Sequence, residues 1–474
     1  MTSGNRFVHL GSLRDIEAFA SHVRAQGLTI PCDRELSQGT RSPLGRPIRW
    51  KRFQIENRFV IQPMEGWDGT LDGHPSDLTF RRWGNFGRSG AKLMWGCEAM
   101  AVRHDGRASP NQLLLSEETR GDVARLRETL IRSGGPGLVV GLQLTHSGRY
   151  SRPNRKDRPE PRILYRHPIL GGRLGLPHDY PLLTDGEIRE IIEDFHRAAR
   201  MAYEAGFDFV DVKHCHGYLG HEFLSAHERE GDYGGSFGNR TRFLREVVQG
   251  IRASAPGLEI GVRLSAMDSV PIGRSGSPEP FEHLLPYRWG FGVNPSNPVE
   301  PDLTEPVRFL SLLRDLDIGM VNITAGSPYY NPHIQRPALF PPSDGYQPPE
   351  DPLIGVARQM DLTRSLKKLF PEILFVGTAY TYLQDFLPYV ASAAVREGWV
   401  DCVGIGRLVL SYPEFPRDVL EGRALDRKHF CRTFSDCTTG PRNNLPSGCY
   451  PLDEHYKKSE AGNRLREIKS SSRK

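Results

Sequence analysis

The chain reads GEIREIIEDFHRAARMAYEA over residues 186–205, FDFVDV over 207–212 and KHCHGYL over 213–219. The first stretch keeps the periodicity of a helix, the second is a short apolar run of the length a buried strand needs, and the third turns abruptly polar. The same alternation recurs throughout. Apolar runs stand at 59–62, 92–96, 138–144, 207–212, 259–264, 319–323, 373–376 and 401–405, with helical periodicity between them at 186–205, 240–254, 307–316, 354–369 and 383–397. Continuous apolar strands joined by helical crossovers imply a parallel sheet covered on its outer face. Eight such units predict an α/β fold, a closed (β/α)₈ barrel.

In that architecture the chemistry sits in the loops that follow the strands, and three of these are long: 147–183, 266–304 and 324–352. The last two are rich in Pro, Gly, Tyr and Asn, a composition that suits ordered lids. Residues 1–50 are expected to form an N-terminal appendage, 51–420 the barrel, and 421–474 a C-terminal extension ending in a frayed tail.

Composition narrows the function classes. With 38% hydrophobic and 25% charged residues, the 474-residue chain has enough apolar matter for a sizeable core. Lys and Arg number 62 against 57 Asp and Glu, an excess too small for a nucleic-acid binder. Part of it lies in the C-terminal segment, at Lys457, Lys458, Arg464, Arg466, Lys469 and Lys474. No apolar run approaches the roughly 20 residues of a membrane span, and the first six residues lack the apolar core of a signal peptide. A cytoplasmic protein with reduced cysteines is expected, acting on a small molecule without nucleic acid or membrane. A homo-oligomer or a redox partner stays open.

The strand ends carry the informative residues. The first gives Gln62-Pro63-Met64, the second Gly96-Cys97-Glu98-Ala99, the third Gln143-Leu144-Thr145-His146, and the fourth Lys213-His214-Cys215-His216-Gly217-Tyr218. Val262-Arg263-Leu264-Ser265, Val376-Gly377-Thr378 and Gly404-Ile405-Gly406-Arg407 follow at the fifth, seventh and eighth. In this order the chain resembles the old yellow enzyme family of FMN-dependent oxidoreductases over roughly residues 50–420.

The chemistry of the side chains agrees with a flavin. Gln143 can donate and accept along a pyrimidine edge, and Arg263 offers a cation that stabilises a reduced, anionic ring. Gly377, Thr378, Gly406 and Arg407 place backbone N–H groups and a guanidinium where the seventh and eighth loops of such barrels bind phosphate. By the resemblance, Pro63, Met64 and Ala99 face the isoalloxazine ring. The resemblance also implies a polar pair three residues apart that holds a substrate oxygen, and a tyrosine two residues later that donates a proton. Those positions are Lys213, His216 and Tyr218.

Two residues depart from the family pattern. Lys213 stands where an imidazole is usual, and it either binds the developing negative oxygen or pairs with a nearby acid. Glu65 stands where relatives carry Thr or Cys, and is expected to turn away or else to act as an unusual acid, because a carboxylate beside a reduced flavin is unfavourable unless protonated. Cys431, Cys437 and Cys449 follow the barrel where larger relatives hold a 4Fe-4S cluster, but Phe434 occupies the position of a fourth ligand, so no such cluster is expected. The pair His214 and His216, with His221 nearby, also admits a metal-dependent barrel hydrolase, yet alternation separates His214 from Lys213 and no carboxylate constellation accompanies them. No metal site is expected.

The expected function is reduction of an activated alkene by FMN with NADH or NADPH as electron donor. An amine dehydrogenase or oxidative demethylase, and a flavoprotein dependent on a partner, are the alternatives. Ser327-Pro328-Tyr329-Tyr330-Asn331-Pro332-His333 is expected to shape the substrate entrance.

Overall fold

The computed structural model describes residues 7–471. Residues 1–6 and Lys474, on which the leader and part of the basic-tail readings rest, lie outside the described residues. Strands β1 (Phe59–Ile61), β2 (Leu93–Ala101), β3 (Val139–Thr145), β4 (Phe209–Val212), β5 (Glu259–Ser265), β6 (Met320–Thr324), β7 (Leu374–Gly377) and β8 (Cys402–Ile405) pair in chain order as a closed barrel. All pairings are parallel, and β8 closes on β1 with Val403 opposite Phe59 and Ile405 opposite Ile61. The crossovers are α1 (Asp77–Gly87), α2 (Arg120–Gly134), α3 (Asp185–Glu204), α4 (Arg242–Ser254), α5 (Thr304–Asp315), α6 (Pro352–Leu369) and α7 (Leu387–Arg396).

Local chemistry sets these elements. Thr184 and Glu187 form a reciprocal capping box at the start of α3, whose inward stripe includes Ile188, Ile191, Ile192 and Phe195. The periodicity over 383–397 begins before the helix does. Residues 380–386 wind as a tighter 3-10 turn in which Gln384 takes φ 51°, and Pro388 then fixes the first turn of α7. Helices α1 and α2 were not evident from the sequence: α1 buries Arg82 and Asn85 beside Trp83 and Phe86, which blurs its apolar stripe.

Inside the barrel, Val60, Leu93, Trp95, Val139, Phe209, Met320, Leu374, Val376 and Cys402 pack as one cluster with Trp50 and Ile55. Trp50 and Ile55 come from a hairpin, Ile48–Trp50 paired with Phe53–Ile55, that closes the N-terminal mouth. The Phe209 ring lies 5.5 Å from Trp50 and 5.4 Å from Trp95. Gly141 makes room for it, since a Cβ there would stand 2.2 Å from the ring. One end of the barrel is therefore filled, and the site is confined to the other.

The flanking segments join this body. The hairpin crosses the boundary expected at residue 50, and helix Ile16–Ala25 stacks Phe19 on Phe386 at 4.6 Å. Helix Asp436–Arg442 reaches the open end of the barrel, and helix Glu460–Ser471 packs Leu465 with Tyr450 and Tyr456. Among the described residues no helix is long and apolar enough to cross a membrane.

Asp268, just beyond β5, is buried and accepts the Tyr330 hydroxyl at 2.7 Å; burial pushes its pKa up to about 7. In the unfolded chain this carboxyl ionises near pH 4, so its burial costs stability progressively as pH rises from about 4 to about 7. Asp268→Asn keeps an acceptor for Tyr330 and removes that cost. Thermal unfolding is expected to show a higher Tm than the parent at pH 8 and a much smaller difference at pH 4; a gain independent of pH would contradict this account.

Candidate active site

At the C-terminal end of the barrel the strand ends surround a cavity of about 260 Å³. Its wall takes Gln62, Pro63 and Met64 after β1, Gln143 from β3, Lys213, His216 and Tyr218 after β4, and Arg263 from β5. Thr378 and Ala379 follow from β7, then Gly404, Gly406 and Arg407 from β8. Ten of the twelve residues expected from the sequence thus meet in one lining. Ala99 and Gly377 lie outside it. Ala99 is in the bulged part of β2, where its carbonyl oxygen accepts the Gln112 amide at 2.9 Å.

The floor is organised by Asp211, which the sequence reading passed over as part of an apolar strand. Its carboxylate is fully buried and accepts from Trp95 Nε1 at 2.7 Å, Gln143 Nε2 at 2.5 Å and the Arg263 backbone N–H at 2.7 Å. Burial raises its pKa, and the Gln143 and Trp95 hydrogen bonds oppose the rise. A carboxylate only accepts, so the Gln143 amide nitrogen faces it and the amide oxygen is left free for the cavity. Arg263 is almost fully buried, has no salt-bridge partner among the described residues, and keeps a buried Nε without a hydrogen bond.

Towards β8 the wall is made close and cationic. A Cβ on Gly404 would fall 1.8 Å from Gln62 Nε2, whereas one on Gly406 would meet nothing nearer than Met64 Sδ at 3.6 Å. Arg407 donates Nη2 to the Pro337 carbonyl at 2.9 Å, while its buried Nη1 has no partner. Arg336 donates to Thr438 Oγ1, and burial together with Arg407 and Arg442 pushes its pKa down to about 9. Among the described residues, only Arg442 of these three guanidinium groups has an acid partner, Asp344. Arg336, Thr438 and Arg442 were missed in the sequence, because two of them come from the C-terminal extension and no strand end announces them.

The opposite wall holds Lys213, His216, Tyr218 and Glu65. Glu65 does not turn away, contrary to expectation. Its Oε1 accepts Lys213 Nζ at 2.8 Å, and its Oε2 accepts Tyr218 OH at 2.9 Å and Trp67 Nε1 at 2.9 Å. The ammonium also lies 3.8 Å from the centre of the Tyr218 ring. Burial, then the Glu65 carboxylate, push the Tyr218 phenol well above its usual pKa, so it is protonated at neutral pH. The Tyr329 hydroxyl lies 2.8 Å from that of Tyr218.

His216 sits at φ 67°, with its N–H donating to Ser265 Oγ at 3.0 Å. Burial and the nearby Arg263 and Lys213 push its pKa well below the imidazole range, so the ring is neutral. Gln335 Nε2 stands 3.2 Å from His216 Nε2. An amide N–H can only donate, which makes Nε2 the acceptor and leaves the proton on Nδ1.

The Glu65 loop is fixed from below. Arg82 pairs with Asp68 and, at 2.6 Å, with Glu98, all three side chains being at most 5% exposed. Glu98 also accepts the Gly66 N–H at 2.6 Å, and a Cβ on Gly66 would strike the Arg82 guanidinium at 2.1 Å.

The remaining candidates lie apart. His214 bonds the Val212 carbonyl at 2.9 Å and packs against Phe243 and Phe309; His221 and His146 accept the N–H groups of Gly217 and Gly148. Cys431, Cys437 and Cys449 line a small cleft with Phe434, Cys437 also reaching the wall of the main cavity, and all three thiols are free. Among the described residues no group of three or more His, Cys, Asp or Glu is placed to hold a metal ion.

Comparison with known proteins agrees with this geometry. The NADPH dehydrogenase of Listeria innocua is 32% identical over 240 residues, a match that covers 48% of this chain and 64% of the relative. Among solved structures, a 2-naphthoyl-CoA reductase superposes with a TM-score of 0.66 at 20% identity, covering 89% of this chain and 58% of that one. The old yellow enzyme homologue of Zymomonas mobilis superposes with a TM-score of 0.57 at 22% identity, covering 83% and 98%. These two likenesses are of fold. The family description NADH:flavin oxidoreductase / NADH oxidase matches residues 43–279, half of the chain. The chain therefore belongs to that family, the one whose old yellow enzyme members its strand-end motifs resemble.

Proposed function

We propose that the protein is an FMN-dependent oxidoreductase that uses NADH or NADPH to reduce an electron-poor alkene. The meeting of unpaired guanidinium groups, Arg263 buried and Arg336 and Arg407 half-buried, with a protonated phenol in one cavity carries this reading. The residues present fit FMN. The free amide oxygen of Gln143 suits an N–H on the ring edge, Arg263 Nε suits the pyrimidine side, and Arg407 Nη1 with Arg336 suits a phosphate. Gly406 leaves space for a close approach. When bound, FMN supplies two-electron transfer from the reduced nicotinamide to the β-carbon of the alkene.

The chain's own groups handle the oxygen and the proton. Lys213 spends one of its three N–H donors on Glu65, leaving two for the substrate oxygen, and the His216 ring adds Nδ1–H. Drawing electron density onto that oxygen makes the alkene a better acceptor. Tyr218 gives its proton to the α-carbon, and the Tyr329 hydroxyl, 2.8 Å away, is placed to replace it. Glu65 holds both the ammonium and the phenol in place.

Tyr218→Phe is expected to slow reoxidation by an enone such as cyclohexenone by about 100-fold while leaving flavin reduction by the nicotinamide nearly unchanged. Equal loss in both half-reactions, followed by anaerobic stopped-flow absorbance, would remove the proton-donor role.

Because the phenol is held well above its usual range, the enone half-reaction should stay flat with pH up to about 9. In Glu65→Gln the adjacent negative charge is gone, the phenol ionises more readily, and the alkaline fall moves to lower pH. A profile that Glu65→Gln leaves in place would contradict the coupling.

Asp211→Asn lets the Gln143 amide turn over and is expected to weaken FMN binding by on the order of tenfold, the scale of one hydrogen bond to a charged group. Recovery of flavin fluorescence on dilution of the loaded protein measures it; undiminished retention would show that the Gln143 orientation is set elsewhere.

A further inference from the structure

Behind the β8 wall of the cavity the C-terminal segment brings three thiols together. Cys431, Cys437 and Cys449 line one cleft of about 20 Å³ beside Arg407, Phe434 and Ser435, and all three are free. The chain folds back between the first two through Thr433 at φ 55° and Ser435 at φ 61°, an uncommon conformation for residues other than glycine. Ser447 Oγ then donates to the Cys437 carbonyl at 2.8 Å, which holds the segment leading to Cys449 alongside.

The three thiols are not equivalent. Burial pushes the Cys431 and Cys449 thiols above their usual range, which makes them poor first nucleophiles. Cys437 is half-buried and also lines the main cavity with Arg336, Arg407 and Arg442, the partly exposed, electropositive surroundings in which reactive cysteines are found. In the cleft the Ser435 side chain, 3% exposed, keeps a buried hydroxyl with no hydrogen-bond partner among the described residues. A space of about 20 Å³ takes a molecule little larger than water. Hydrogen peroxide is of that size, accepts a hydrogen bond from a hydroxyl and oxidises a thiol.

We propose that Cys437 is a peroxide-reactive thiol, and that one of its two neighbours captures the oxidised sulfur as a reversible disulfide. This chemistry is independent of the flavin reading above. The Cys437 sulfur attacks one peroxide oxygen: the S–O bond forms as the O–O bond breaks, the sulfur is oxidised, and the leaving hydroxide takes the thiol proton to become water. The sulfur of Cys431 or Cys449 then attacks the sulfenic sulfur of Cys437. The S–S bond forms, the S–O bond breaks, and a second hydroxide leaves with the proton of the attacking thiol. A buried thiol suffices for this step because it is held beside its target and does not meet it by diffusion. A dithiol reductant resets the pair by thiol–disulfide exchange.

The full chain as purified, reduced with dithiothreitol and desalted, is treated with hydrogen peroxide, alkylated and mapped by mass spectrometry. The parent should lose a pair of alkylatable thiols, with Cys437 linked to Cys431 or to Cys449, and dithiothreitol should restore both. With Cys431→Ser and Cys449→Ser combined, the sulfenic acid has no captor, and Cys437 should be trapped as its dimedone adduct. Ser435→Ala should slow the oxidation of Cys437 about fivefold, the scale of one hydrogen bond, and an unchanged rate would remove the hydroxyl from the site. The mapping is read in the parent, so it decides the matter even where a variant fails to fold. A Cys437 that stays alkylatable, oxidation that falls on Cys32 or joins Cys431 to Cys449, or equal rates in the folded and the urea-unfolded chain overturns the proposal.

Discussion

A single buried carboxylate, Asp211, ties the barrel to its site. It sits on β4 and accepts from a side chain on β2, a side chain on β3 and a backbone N–H on β5. Taking a carboxylate out of water is costly unless its lone pairs are met, so each of these donors is committed. Trp95 is thereby held against Phe209 in the filled end of the barrel, while Gln143 is held with its oxygen towards the open end. Packing below and recognition above thus depend on the same group. With the hairpin closing the N-terminal mouth, the cavity has one direction in which to open.

Much of this was legible in the sequence because the barrel repeats. Eight apolar runs fall on eight strands, with edges shifted by a residue or two except at β2, which continues from Gly96 to Ala101, since a strand covered by helices must be apolar on both faces and so stands out. Asp211 was hidden for the same reason: one acid inside FDFVDV does not disturb an apolar run, and its three donors come from distant positions. Arg336, Thr438 and Arg442 escaped because they enter the wall from a loop and a late helix that carry no periodic signal. The segment 421–471, read as a trailing extension, supplies part of the cavity wall.

The site is polarised by what is paired and what is not. Glu65 balances Lys213 on one wall, whereas Arg263, Arg336 and Arg407 on the other walls have no salt-bridge partner among the described residues. A guanidinium largely withdrawn from water without a counter-ion, buried as at Arg263 or half-buried as at Arg336 and Arg407, is tolerable only where something else supplies negative charge or strong acceptors. The geometry therefore calls for an anionic group along the β5, β7 and β8 side and a neutral one beside Tyr218. That division follows from hydrogen-bond and ion-pair accounting, and it agrees with the family independently of the motifs.

The two departures from the family pattern are best understood as one. An ammonium at Lys213, 4% exposed, would be a poor replacement for an imidazole if left alone, and a carboxylate at Glu65, 15% exposed, would repel an anionic ring. Placed together at 2.8 Å they cancel, and removing either would strand the other at a cost of roughly 3–5 kcal/mol. The pair is also anchored through the Gly66 N–H on Glu98 and the Arg82 cluster beneath, so the loop cannot relax to separate them. What the pair adds is a carboxylate that Tyr218 reaches directly, which raises the phenol pKa beyond what burial alone would do. The residue that stands where the family pattern has an imidazole thus comes with a carboxylate that sets how firmly the Tyr218 phenol holds its proton.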